Sequence, residues 1–119
     1  MDEMNFSDMC IEAARLAEQE LEVSIPLVDF QPPSTIVDVG LNEWGLRIEG
    51  GSSNPKSAHI VYADSDGDLY TSRGVAPRHG RLDYSDDDAR ACARAFIEQI
   101  GDVKQRVADK QTDKKLTRI

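Results

Sequence analysis

Asp64-x-Asp66-Gly67-Asp68 sets three carboxylates at alternate positions, as an EF-hand calcium loop does with the oxygens of its first, third and fifth residues. The rest of that loop is missing. Leu69 stands where the sharp turn needs Gly, Val75 where a bidentate Glu belongs, and the flanks read as strands where helices are required. The segment reads as an acidic hairpin turn, with weak divalent-ion binding as the alternative. His59, His79, Cys10 and Cys92 fall into no metal-ligand spacing, and a zinc site would need four ligands converging within about 2.0–2.3 Å of the ion. No metal or cofactor is expected. Both cysteines sit among alanines on apolar helical stripes, where a thiol is packing material; they become neighbours if the two helices lie side by side. Ser57, His59 and Asp64 contain the parts of a nucleophile, a base and an acid, yet their spacing within or beside one strand does not make them converge. Nothing in the sequence marks a cleft that would shift a pKa, so no catalytic residue is assigned and a non-enzyme is expected. Gly50-Gly51-Ser52-Ser53 lacks the Lys and the following helix of a phosphate loop. Pro77-Arg78-His79-Gly80-Arg81 is a compact basic loop. Its guanidinium forks at Arg78 and Arg81 suit carboxylate or phosphate, either on Asp83 and Asp86 to Asp88 of this chain or on a partner's acidic patch or an RNA backbone.

Two helices and a set of strands must position these groups. Ser7 and Asp8 can cap a first helix whose apolar positions Met9, Ala13, Leu16, Ala17 and Leu21 share one face, and Pro26 ends it. Ile25 to Ser34, with Pro26, Pro32 and Pro33, reads as an extended crossing loop. Ile36–Leu41 and Trp44–Glu49 read as a hairpin about Asn42 and Glu43, followed by strands at Ala58–Ala63 and Asp68–Arg73 joined by the turn Asp64 to Gly67. Ser85 with Asp86, Asp87 and Asp88 is a helix start of the capping-box kind. From it Ala89, Cys92, Ala93, Phe96, Ile100, Val103 and Val107 hold one helical stripe, with a bend allowed at Gly101. The expectation is an α+β fold: an N-terminal helix, a four-stranded antiparallel meander and a long C-terminal helix. Residues 1–110 form one domain and residues 111–119 a frayed basic tail. The expected core is Leu16, Leu21, Val39, Trp44, Leu46, Ile48, Ile60, Tyr62, Leu69, Cys92, Phe96 and Ile100.

Composition sets the class. With 119 residues there is room for one ordinary core. Leu, Ile, Val and Phe account for 27 of them, just above the roughly 20 % below which a highly charged chain stays disordered. No long apolar run is present and the first residues, Met1-Asp2-Glu3-Met4, are acidic where an export signal would be basic; a cytoplasmic protein is expected. The net charge of −8 disfavours direct contact with nucleic acid or an anionic membrane and favours a basic partner. It is unevenly spread. Asp2, Glu3, Asp8, Glu12, Glu18, Glu20, Glu22 and Asp29 face only Arg15 in the first thirty residues, whereas Lys104, Arg106, Lys110, Lys114, Lys115 and Arg118 outnumber Asp109 and Asp113 at the end. The acids expected to meet a partner are Glu12, Glu18, Glu20, Glu22, Asp64, Asp66, Asp68, Asp86, Asp87 and Asp88, with Arg78 and Arg81 as a basic contact.

In size, acidity and lack of a catalytic motif the chain resembles the small acidic inhibitors that bacteriophages and mobile elements direct against host defence, including anti-CRISPR proteins and DNA mimics. That resemblance implies a non-enzymatic binding module that occupies a basic nucleic-acid-binding surface of a protein or nucleoprotein complex, with carboxylates in place of phosphates. Immunity proteins and antitoxins follow the same logic, and a homodimer is compatible with it. The rival expectation is a small acidic chaperone or adaptor. Secretion chaperones of the type III class are similar in size and charge, but this sequence shows no helix between its third and fourth strands.

Overall fold

Asn5 starts the first helix. In the computed structural model, which describes residues 4–29, 39–50, 55–78 and 83–116, its backbone is extended and its Oδ1 accepts the Asp8 amide at 2.7 Å. That bond satisfies one of the N–H groups a helix start leaves open. α1 then spans Phe6–Leu21. Ser7, expected with Asp8 at the cap, lies inside the helix and is buried, because the short amide side chain of Asn5 already reaches the third helical amide. The helix stops well before Pro26. Glu22 takes a left-handed conformation (φ 55°) that ends it, and the Ile25 amide beyond donates to Glu18 Oε2 at 2.6 Å.

Four strands follow: β1 (Leu27–Asp29), β2 (Glu43–Glu49), β3 (Ser57–Ala63) and β4 (Leu69–Thr71), hydrogen-bonded in that order. β2, β3 and β4 form the expected antiparallel run, with Leu46 opposite Ile60 and Tyr62 opposite Tyr70. The four-stranded antiparallel meander is nevertheless corrected, because β1 pairs with β2 in parallel. By sequence, residues 27–29 belong to the crossing loop Ile25 to Ser34. Pro26 precedes the strand, where its missing N–H costs nothing and its carbonyl accepts the Leu46 amide at 2.8 Å, and residues 30–42 give enough chain for a parallel return. Of the strand expected at Ile36–Leu41, residues 36–38 lie outside the described residues. Val39 and Gly40 belong to no strand, and Leu41 makes an isolated parallel bridge to Ala63.

α2 spans Asp86–Leu116. Its start is the reciprocal box expected from the sequence: the Ser85 amide donates to Asp88 Oδ2 at 2.8 Å and the Asp88 amide to Ser85 Oγ at 3.3 Å. The helix passes through Gly101 and continues beyond residue 110, so residues 111–116 prolong α2. Both helices cover one face of the sheet and run in the same direction. Met4 and Tyr84 exchange backbone hydrogen bonds, the Phe6 and Tyr84 rings meet edge to face at 5.8 Å, and Cys10 lies against Cys92. The shared core contains Trp44, Leu46, Ile48, Ile60, Cys92, Phe96 and Ile100, as expected, with Leu16, Leu21 and Tyr62 half-buried against it. Val39 is half-buried. Leu69 is 47 % exposed and leaves the predicted core: in a strand adjacent residues point to opposite faces, and it is Tyr70 that packs on the core. Among the described residues no helix is long and apolar enough to cross a membrane.

Candidate functional site

The acidic turn is the most elaborate polar cluster among the described residues. Asp64, at the end of β3, is buried to 1 % exposure, and its Oδ1 accepts the amides of Asp66 and Asp68, each at 2.9 Å. Gly67 (φ 86°) closes the turn, donating to the Asp64 carbonyl at 3.0 Å. The other carboxylate oxygen, Oδ2, accepts the Tyr70 hydroxyl at 3.1 Å and the Lys110 ammonium at 3.0 Å. Lys110 also binds Asp68 and lies 3.9 Å from Asp66. The three carboxylates therefore converge as a cation site would, and α2 delivers a lysine into the place of the cation. Arg106, one turn earlier, donates to the Thr71 carbonyl at 2.9 Å and lies over the Tyr70 ring at 5.9 Å. The arrangement is a latch fastening the second half of α2 to the β3–β4 turn.

Its electrostatics follow from these contacts. Burial pushes the Asp64 carboxyl up, but the Lys110 ammonium, the Asp66 amide and the Tyr70 hydroxyl outweigh it and hold the group below its ordinary value. Tyr70 is pushed up, by burial first and then by its hydrogen bond to Asp64.

The remaining candidate acids are dispersed. Glu12 is engaged by Arg15 on its own helix, with Nε donating to Oε2 at 2.7 Å. Glu18 holds the Ile25 amide, Asp87 pairs with Arg90, and Asp88 belongs to the helix cap. Glu20, Glu22 and Asp86 are exposed. Because the helices run the same way, Asp86 lies at one end of the helical layer and Glu20 beside Glu98 toward the other, roughly 18 Å apart along α2 at 1.5 Å per residue. Arg78 is exposed and its amide donates to the Tyr84 hydroxyl at 3.0 Å; His79 and Arg81 lie outside the described residues.

Between α1 and α2 runs an open groove of about 490 Å³, with Leu16, Ala93 and Ile97 as its apolar lining and Glu20, Glu98, Arg90 and Arg94 as its charged one. Sequence reasoning missed it. Glu98 and Arg94 become its rim only once the two helices are set in parallel.

Two further predictions concern reactive side chains. Cys10 and Cys92 are free, buried and adjacent. The hydrogen bond to Cys92, followed by burial, pushes the Cys10 thiol far up, which suppresses the reactive thiolate and fits packing. Ser57 and His59 do meet, with Oγ 2.9 Å from Nε2, because alternate residues of β3 share a face. Asp64 takes no part in that pair and belongs to the latch. Glu49, opposite Ser57 on β2, stands on the acid side instead, with Oε1 4.0 Å from Nε2.

Two helices on one face of a mixed, mainly antiparallel sheet make this a two-layer α+β protein. Comparison with protein-family models, with curated proteins and with solved structures finds no match to the chain.

Proposed function

We propose that the protein is an acidic, non-enzymatic binding module that docks on a basic surface of a partner protein, as an inhibitor occupying a nucleic-acid-binding site. The observation that supports this reading best is the α1–α2 groove. Its apolar floor can receive an anchoring side chain, Glu20 and Glu98 on its rim are exposed carboxylates with no ion pair among the described residues, and Glu22 is exposed just beyond the end of α1. A desolvated apolar centre inside a charged rim is the usual anatomy of an interface, and a body of net charge −8 steers it toward positive surfaces. Asp64, Asp66 and Asp68 are engaged by Lys110 and are assigned to stability. The chaperone reading comes second, since β3 and β4 are joined by a tight turn with no intervening helix.

The test begins with capture of partners from a host lysate at low salt and their identification, followed by binding measurements on the purified pair. The triple substitution Glu20→Lys, Glu22→Lys, Glu98→Lys should weaken binding at least tenfold, chiefly by slowing association, and flatten its salt dependence. Duplex DNA should compete with the module for the partner. Unchanged affinity in the triple variant, or a partner whose bound surface is acidic, refutes the proposal.

A further inference from the structure

Beyond the binding role, we infer that Ser57 is a modification site: a hydroxyl activated by His59 that accepts an acyl group from an activated ester or thioester. The imidazole is held in the tautomer this chemistry needs. Nδ1 lies 3.0 Å from the Ser72 carbonyl, which can only accept, so Nδ1 carries the proton and the lone pair of the neutral imidazole is at Nε2. Ser57 Oγ lies 2.9 Å from that lone pair but 3.4 Å from Glu49 Oε2. The shorter contact takes the hydroxyl proton, since 3.4 Å is long for an O–H···O bond.

The fold fixes this geometry from three sides. Ser57 and His59 are alternate residues of β3, placed on one face by the pleat. The chain after β4 closes over the ring: Ala58 and Val75 exchange backbone hydrogen bonds at 2.8 Å, and Gly74 (φ 84°) sits so close that a Cβ there would stand 2.4 Å from His59 Nδ1. Ser72, which supplies the carbonyl, is itself anchored, its Oγ accepting the Ile60 amide at 3.0 Å and donating to Gln99 Oε1 of α2 at 2.7 Å. The imidazole side chain keeps 16 % of its surface exposed and Ser57 is half-buried, so an acyl donor can approach from solvent.

In the step itself, Ser57 Oγ bonds to the acyl carbon while its proton passes to His59 Nε2. The bond from the acyl carbon to the leaving oxygen or sulfur breaks, and the leaving group takes the proton from Nε2. The products are acyl-Ser57 and an alcohol or thiol, one event per chain. Glu49, with Oε1 4.0 Å from Nε2, flanks the pair from the neighbouring strand and acts as a positioning residue.

The full-length folded chain is incubated with p-nitrophenyl acetate, nitrophenolate release is followed, and the acetyl group is located by peptide mass spectrometry. The expected result is acetyl on Ser57, abolished in Ser57→Ala and slowed about 100-fold or more in His59→Gln, the contribution of a positioned general base. Glu49→Gln should slow labelling by a smaller factor and leave its position unchanged. The urea-unfolded wild-type chain controls for variants that fail to fold, because it keeps every residue and loses only the geometry; its Ser57 labelling should drop as in His59→Gln. Acetylation confined to lysines or the terminal amine overturns the inference, as does Ser57 labelling that is equally fast in His59→Gln or in the unfolded chain.

Discussion

Gly101 sits on the exposed side of α2, between the buried Phe96 and Ile100 and the stretch that carries Arg106 and Lys110 to the sheet. A Cβ built there would meet nothing within 4 Å, and no positive φ holds the residue to glycine. Gly101→Ala therefore adds a methyl group in open solvent and removes the conformational freedom that glycine has in the unfolded chain. The helix-propensity difference in a helix interior is about 0.8–1.0 kcal/mol, and no steric term opposes it. The variant should be more stable by about 1 kcal/mol, raising the thermal midpoint by roughly 4 °C for a domain of this size. Urea denaturation followed by far-ultraviolet circular dichroism measures it: the midpoint should rise with the slope unchanged. A lower midpoint would mean that α2 needs glycine at this point, as a bend or a close contact, and would refute the continuous helix on which the latch depends.

Phe96 is fully buried, so Phe96→Ala should cost about 3–5 kcal/mol, a large share of a typical domain's stability; chemical denaturation showing less than about 1 kcal/mol would place that ring outside the core. Asp64 has its pKa depressed by folding, so its contribution is present above the unfolded value near 3.9 and disappears as pH falls through the lower folded value. Lys110→Met should therefore destabilise most at neutral pH and converge with the wild type in acid, and parallel stability curves over that range would dismiss the latch. Tyr70, with its pKa raised, contributes below about pH 10, and its contribution should fade as pH rises through the folded value. Cys10 and Cys92 should resist a thiol reagent such as dithionitrobenzoate in the native state and react fully in urea; rapid native reaction would contradict their burial.

The long helical stripe and the start of α2 were the most legible parts of the sequence, whereas the α1 cap was misplaced from Asn5 to Ser7 and Asp8. The stripe from Ala89 to Val107 and the Ser85–Asp88 box are local signals, and local physics decides them. The Trp44–Glu49 alternation gave β2 for the same reason. β1 was illegible because three residues after a proline carry no period, and their strand character comes from pairing with Leu46 and Arg47, a contact that no window of sequence contains. Leu69 failed as a core residue because an adjacent aromatic, Tyr70, offered the other parity. At the candidate sites, Ser57 and His59 were visible as residue types. Their meeting was not expected from the spacing, and Glu49 was not considered, since it comes near the pair only through the β2–β3 register.

The same distinction governs the charge. A sequence count treats Asp64, Glu18, Asp88 and Glu20 as equivalent contributors to an acidic face, but three of them bind groups of their own chain: a lysine, a backbone amide and a helix start. Each such contact lowers the energy of the carboxylate where it stands and raises the cost of turning it toward a partner, because a hydrogen-bonded charge must first lose its existing bonds, most of all the buried Asp64. Among the candidate acids, those able to meet a basic surface at no such cost are the exposed Glu20, Glu22 and Asp86, and Glu98 of the groove rim joins them. Asp86 lies about 18 Å from Glu98 along α2, beyond the Debye length of about 8 Å at physiological salt, so it and the groove rim act on separate patches of any partner. Charge reversal at Asp86 and at Glu20 with Glu22 should therefore alter binding additively if one large basic surface spans the helical layer. If the footprint is the α1–α2 groove alone, reversal at Asp86 should leave the affinity unchanged.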